Sequence, residues 1–303
     1  MIMATIFWSF MGISNRYLNQ VNLSSLEISF IRTLSASLMT TMVLFFTNKS
    51  LFKVDKKGFI FCVFYGVLNY SIGISLYSIS VERIPIAIAT VLMFSNPIWV
   101  TLFSKIFFGD EVGMKKILLI STCIFGCMCI IDIFTTGGRD LDIIGVLAGI
   151  GNGMTFALQI VLPRFVERSI RKETILLYGF WSGTICLSFF INIGSIVEKI
   201  AYSNSPMFYL MNALSIGLLG TYFANTFYVK STKYIGTSLP SMMVALEPIF
   251  AAVLAFFIFG EELKAIQFVG AVIVVMSVVM LEIRLSEDSP LVRLFVRREK
   301  RSY

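Results

Sequence analysis

Two stretches of this 303-residue chain are copies of one another, residues 84–111 and 235–262. The first runs through Asn96-Pro97-Ile98 and closes on Phe107-Phe108-Gly109-Asp110-Glu111. The second runs through Glu247-Pro248-Ile249 and closes on Ile258-Phe259-Gly260-Glu261-Glu262. The prolines stand 151 residues apart (248 − 97), as do the glycines (260 − 109), so the copies align without a gap. Tyr77, Ser80 and Ile84 recur at that offset as Tyr228, Ser231 and Ile235. A duplication therefore covers the chain. Each copy is an apolar stretch long enough to cross a bilayer, interrupted midway by a proline beside a polar residue, a pattern that points to a solute site where two repeats meet.

The surrounding sequence fits a bilayer as solvent. Hydrophobic residues make up 57% of the chain and charged ones 14%, against about 25% charge in a soluble domain. Apolar runs predict an all-α integral membrane protein with ten transmembrane helices near 2–18, 26–47, 58–80, 84–108, 115–134, 143–162, 173–194, 207–229, 235–259 and 264–284. The first has no basic leader and no small-residue cleavage site before Asn15-Arg16, so a retained helix is expected.

Orientation follows from the Lys and Arg residues between the runs, because positive charge resists translocation. With a cytoplasmic N-terminus the inner segments hold Lys49, Lys53, Lys56, Lys57, Lys115, Lys116, Arg164, Arg168, Arg171, Lys172, Lys230, Lys233 and six more from Arg284 to Arg301, 18 in all. The outer segments hold Arg16, Arg83, Arg139, Lys199 and Lys264 only. Both termini are expected in the cytoplasm. The polar link at 135–140 divides the spans into two groups of five, residues 1–134 and 143–284. Five is odd, so the second group enters the membrane inverted. Residues 285–303 form a tail mixing apolar and basic residues, suited either to the anionic inner leaflet or to solvent.

Several chemistries are disfavoured. The net charge of +7 is spread over short segments between apolar runs and forms no basic face for nucleic acid. There is no histidine, the commonest general base and metal ligand. Cys62, Cys123, Cys127, Cys129 and Cys186 fall inside apolar runs at irregular spacing and read as small buried hydrophobes. No metal or other cofactor is expected.

Two five-helix repeats whose fourth and ninth spans carry the Pro97 and Pro248 motifs and close on Gly109-Asp110-Glu111 and Gly260-Glu261-Glu262 resemble the drug/metabolite transporter superfamily, EamA family. Phe7-Trp8-Ser9-Phe10-Met11-Gly12 and Phe30-Ile31-Arg32 resemble it less specifically, and the similarity covers residues 1–284. The resemblance implies a multi-pass secondary transporter of a bacterial cytoplasmic (plasma) membrane. Such a protein exports amino acids or other small metabolites through a cavity open to each side in turn. It leaves cargo, direction, coupling ion and oligomeric state open. Asn96 stands where the second copy has Glu247, so one half alone supplies an ionisable group there.

Glu247 lies twelve residues into the ninth span, about 18 Å from either end at 1.5 Å per residue. A carboxylate facing lipid there would cost several kcal/mol, so it must meet protein, water or a cavity, or carry a proton. It is a candidate for binding a proton or an amine, weighed evenly against a bridge that fixes helix packing. Pro97 and Pro248 lack an N–H and crowd the carbonyls of Met93 and Val244, which then need other partners, in a cavity or at a packing kink. Asn96 brings donors and an acceptor to one such break. Arg32 sits early in its span, where snorkelling to the outer interface is the simpler reading and binding of a substrate carboxylate the alternative. Asn69, Tyr77, Asn152, Gln159, Asn225 and Tyr228 are polar within spans, suited to lining a cavity or to joining helices. Gly145, Gly149 and Gly153 read as a packing face, and Ser24 to Glu27 as a helix-capping box.

A membrane-embedded enzyme would need paired carboxylates, a serine with a base, or a metal cluster, and the chain offers a single midplane acid. A receptor or assembly subunit on the same scaffold is the other alternative.

Overall fold

The structure is a computed structural model describing residues 1–133, 142–235, 238–260 and 264–287. Arg139, Glu261, Glu262 and the tail beyond 287 lie outside the described residues. Among the described residues the regular secondary structure is all helical, with no strand. In chain order the helices are α1 (Ile2–Asn19), α2 (Ser25–Thr47), α3 (Lys56–Gly66), α4 (Gly73–Arg83), α5 (Ile86–Met93), α6 (Asn96–Phe108), α7 (Met114–Ile130) and α8 (Ile143–Val161). They continue as α9 (Lys172–Ser188), α10 (Ile193–Ala201), α11 (Pro206–Gly217), α12 (Ala224–Ile235), α13 (Ser238–Met243), α14 (Glu247–Phe259) and α15 (Ala265–Glu287).

Six of the described helical segments are long and apolar enough to cross a membrane: Ser25–Thr47, Lys56–Arg83, Ile88–Phe108, Ile143–Val166, Pro206–Thr232 and Leu239–Phe259. The pair α9 and α10 meets that description only jointly and is bent by 89°. Here the expected span 173–194 is corrected. The helix stops at Ser188, and Asn192 starts a new one by accepting the N–H of Ser195. The other expected spans match shorter or more polar helices: α1 carries Ser9, Ser14, Asn15 and Arg16, and α7 has 17 residues.

Local chemistry explains where the helices begin and break. Ser24 and Glu27 form the expected capping box, Glu27 N–H to Ser24 Oγ at 3.2 Å and Ser24 N–H to Glu27 Oε2 at 2.7 Å. Lys199 on α10 closes on the same carboxylate at 2.8 Å, tying the start of α2 to the second half of the chain. Gly109 and Gly260 end α6 and α14 with φ of 69° and 66°, the left-handed conformation that favours glycine. Both proline helices are cut just before the proline, at Phe94–Ser95 and at a 3₁₀ turn over Val244–Leu246, because proline cannot continue the hydrogen-bond ladder.

One recurrence has no signature in composition. Between α3 and α4 the chain makes a π turn at Val67–Ile72, and between α11 and α12 another at Leu218–Phe223, again 151 residues apart. Each follows a glycine against which another helix packs closely. A Cβ on Gly66 would collide with the Gly179 carbonyl and the Ser182 hydroxyl on α9, and one on Gly217 with Ser35 on α2.

The packing exchanges partners between the halves. α2 packs on α9, α7 on α15, α8 on α4, α5 and α6, and α1 on α11, α12 and α14. The largest buried cluster, with Trp8, Phe94, Val100, Tyr228 and Met242, draws on both halves. Phe46, Leu118, Phe257 and Phe268 are exposed on the outer surface, as expected where lipid tails replace water. The Gly145, Gly149 and Gly153 stripe meets Ile84, Leu92 and the Leu92 carbonyl, a close backbone approach between α8 and the broken α4–α5 region.

Candidate functional site

The polar groups of the interior gather around the two π turns. Hydrogen bonds from i to i+5 widen a helix and open its carbonyls to a second donor. In the first turn Asn69 Nδ2 donates to the Tyr65 carbonyl at 2.7 Å, and in the second the Thr221 hydroxyl donates to the Ile216 carbonyl at 3.1 Å. Tyr65 and Ile216 are again 151 residues apart.

Thr221 then accepts from Arg32 Nε at 3.2 Å, so the guanidinium is drawn into the bundle and does not snorkel to the interface. Among the described residues that is the one protein hydrogen bond Arg32 makes. Glu247 lies close enough for its charge to act on Arg32, yet the two form no ion pair within 4.0 Å. Tyr70 and Tyr77 stand in the same electrostatic surroundings. Arg32 and Glu247 are both half-buried, deep among helices from the two halves yet keeping part of their surface open. Glu247 is the first residue of α14, at the N-terminal end of a half-helix whose dipole favours negative charge.

A second polar group adjoins the first through Tyr70. Gln159 Nε2 on α8 donates to Asn225 Oδ1 at 3.0 Å and to Tyr70 Oη at 3.2 Å, and Tyr70 Oη donates to Asn225 Oδ1 at 3.4 Å. Asn225 Nδ2 is committed to the Thr221 carbonyl at 2.8 Å. Two residues that connect these groups, Tyr70 and Thr221, were not picked out from the sequence. They are equivalents at the 151-residue offset, a signal present in the chain but masked because the side chains differ.

The remaining candidates serve the backbone first. Asn96 is buried, and its Nδ2 donates at 3.3 Å to the Met93 carbonyl, the group that Pro97 deprives of a backbone partner. Asn152 Nδ2 reaches the Gly73 carbonyl, at the end of the first π turn, at 2.8 Å. Asn69, Asn96 and Asn152 each keep a buried Oδ1 with no partner among the described residues, as does the hydroxyl of Tyr228, whose ring packs 5.4 Å from Trp8. Tyr77 Oη meets Thr90 Oγ1 at 3.5 Å. Pro97 and Pro248 are buried at the two helix breaks.

The Phe-Gly ends of α6 and α14 carry a matched pair of contacts. Arg164 lies 4.0 Å over the ring of Phe108, and Arg16 lies 4.2 Å over Phe259, its equivalent 151 residues on. Each arginine ends or follows the first helix of one half and covers the proline helix of the other.

The fold recurs in known proteins. A solved crystal structure of a protein 11% identical in sequence superposes with a TM-score of 0.77, covering 95% of this chain and 97% of that one. An uncharacterized transporter of Archaeoglobus fulgidus is 21% identical over 215 residues, 71% of this chain and 73% of that protein. Uncharacterized transporters of Synechocystis and Clostridium kluyveri are 28% and 22% identical, each over about seven tenths of this chain, and the matched regions span 64% and 68% of their lengths. The EamA-like transporter family matches residues 1–132 and 143–283, the two halves recognised by their internal repetition, and the chain therefore belongs to that family.

Proposed function

We propose that this protein is a secondary transporter that exports amino acids or other small organic metabolites by alternating access, with Glu247 as the proton-coupling group. The observation that carries the reading is the Arg32–Glu247 centre: opposite charges from α2 and α14, half-buried between the two halves and not satisfying each other. Residues held so in a membrane protein interior serve a solute or ion path far more readily than packing. Among the described residues, Arg32 is the cation whose charge acts on Glu247.

In this reading the chain crosses the membrane ten times as two inverted five-helix units, residues 1–134 and 143–284, with both termini and the basic tail 285–303 in the cytoplasm. Support comes from the 18 to 5 distribution of positive residues, from the pairing of α2 with α9 and α7 with α15, and from the matched Arg164–Phe108 and Arg16–Phe259 contacts, which would close opposite ends of one path. Purified protein in proteoliposomes loaded with a defined metabolite mixture should release a subset of it faster than empty liposomes. Release equal to protein-free vesicles for every compound, with and without a pH gradient, would remove the transporter reading.

A further inference from the structure

Arginine carries five N–H donors in a planar fork that fits a carboxylate through two parallel bonds. In this protein one donor is spoken for. The Thr221 hydroxyl gives its hydrogen to the Ile216 carbonyl, so only its lone pairs face Arg32, and Nε is bound to them. Neither terminal nitrogen of Arg32 has a protein partner among the described residues, although the side chain lies deep among helices of both halves. Glu247 is near enough to be felt but does not take up the fork. A guanidinium pinned at Nε, its two terminal nitrogens side by side and unpaired, is an anion receptor held ready. A structural arginine would have its fork closed by a carboxylate or by backbone carbonyls, as the fork of Arg164 is closed by Asp110.

We propose that Arg32 is the group that selects the cargo, through a bidentate bond to a substrate carboxylate, and that Thr221 in the second π turn is its positioning residue. This rests on the transporter reading and narrows it to carboxylate-bearing solutes. The π turn matters because an ordinary helical turn would not direct the Thr221 hydroxyl back to the i−5 carbonyl. That bond fixes which face of the oxygen Arg32 meets. A carboxylate at the fork also sets a negative charge against Glu247. The bound solute must then bring an ammonium of its own, or Glu247 must carry a proton, which links cargo binding to the coupling residue.

The test is made with proteoliposomes loaded with an equimolar mixture of L-amino acids, their α-carboxamides, small monocarboxylic acids with their amides, and uncharged nucleosides and sugars. Release is followed by mass spectrometry. Unaltered protein is expected to release carboxylates at least tenfold faster than the matched amides. Equal release of acids and amides, or release confined to uncharged compounds, overturns the proposal and leaves the transporter reading standing. No release of any compound overturns both. Arg32→Gln should abolish the preference for acids. Thr221→Val should raise KM for the carboxylate roughly tenfold with kcat little changed, and Thr221→Ser should restore it. A folded Thr221→Val protein with unaltered carboxylate KM would show that Arg32 is not held as proposed. The acid-to-amide comparison needs no variant and decides the matter even where Arg32→Gln fails to fold.

Discussion

Arg164 grips Asp110 through two parallel hydrogen bonds, Nη1 to Oδ2 at 2.7 Å and Nη2 to Oδ1 at 3.1 Å, while its plane covers Phe108. Asp110 follows the left-handed Gly109 that ends α6, and Arg164 follows α8, so the pair fastens the two halves at one end of the bundle. Both side chains are about one third exposed, which limits the pair to about 1 kcal/mol. If it holds one end of the path shut, Asp110→Asn should shift the open-to-closed balance roughly fivefold. A cysteine at the buried Ser104, which accepts from the same Arg164 Nη1, reports this in a background without other cysteines. Its reaction with a small water-soluble thiol reagent should quicken several-fold in the Asp110→Asn protein, and an unchanged rate would deny the pair a gating role.

Glu247→Gln separates titration from packing, since the amide keeps the size and hydrogen-bonding capacity of the acid. The mutant is expected to insert and fold, to lose accumulation driven by a pH gradient, and to keep exchange of labelled for unlabelled substrate. Asn96 at the equivalent place cannot titrate, so no second group in the matched spans replaces it. Normal pH-driven accumulation by the mutant would exclude coupling through this residue.

Topology is open to direct labelling. Single cysteines at Lys53 and Arg168 should resist an impermeant thiol reagent in intact cells, and one at Lys199 should react. The reverse pattern would overturn the assigned orientation.

Close helix approach gives a stability prediction with its own control. Gly66→Ala sets a methyl into the Gly179 carbonyl and the Ser182 hydroxyl, whereas a Cβ at Gly12 meets nothing within 4 Å. The first change should cost about 1–3 kcal/mol. The second should be neutral or stabilising by up to about 1 kcal/mol, because alanine is the better helix former. Thermal unfolding in detergent compares the two, and equal melting temperatures would contradict the packing described at the first π turn.

The helical fold, the proline breaks and the glycine ends were legible in the sequence, because proline and left-handed glycine leave fixed marks at single positions. The capping box at Ser24 was legible for the same reason. The π turns were not, since Val67–Ile72 and Leu218–Phe223 share a backbone path but hardly any side chains. Arg32 was read toward the interface because its place in the span allows snorkelling, and only the position of Thr221 turns it inward. Asn96 and Asn152 stood out as polar residues in apolar runs. What they first satisfy is backbone, at Met93 and Gly73, a need invisible until the helix breaks are located.

The two π turns also carry a date. Separate one-residue insertions would each have had about twenty positions in a span to fall upon. Their shared register makes one insertion in a half-length ancestor the simpler history. In today's chain the glycine before each turn is covered by a helix of the opposite half, Gly66 by α9 and Gly217 by α2. A half-length chain carrying that turn would have left its glycine uncovered unless a second copy packed against it. Turn and cover thus belong to opposite halves, so neither half buries its own π turn.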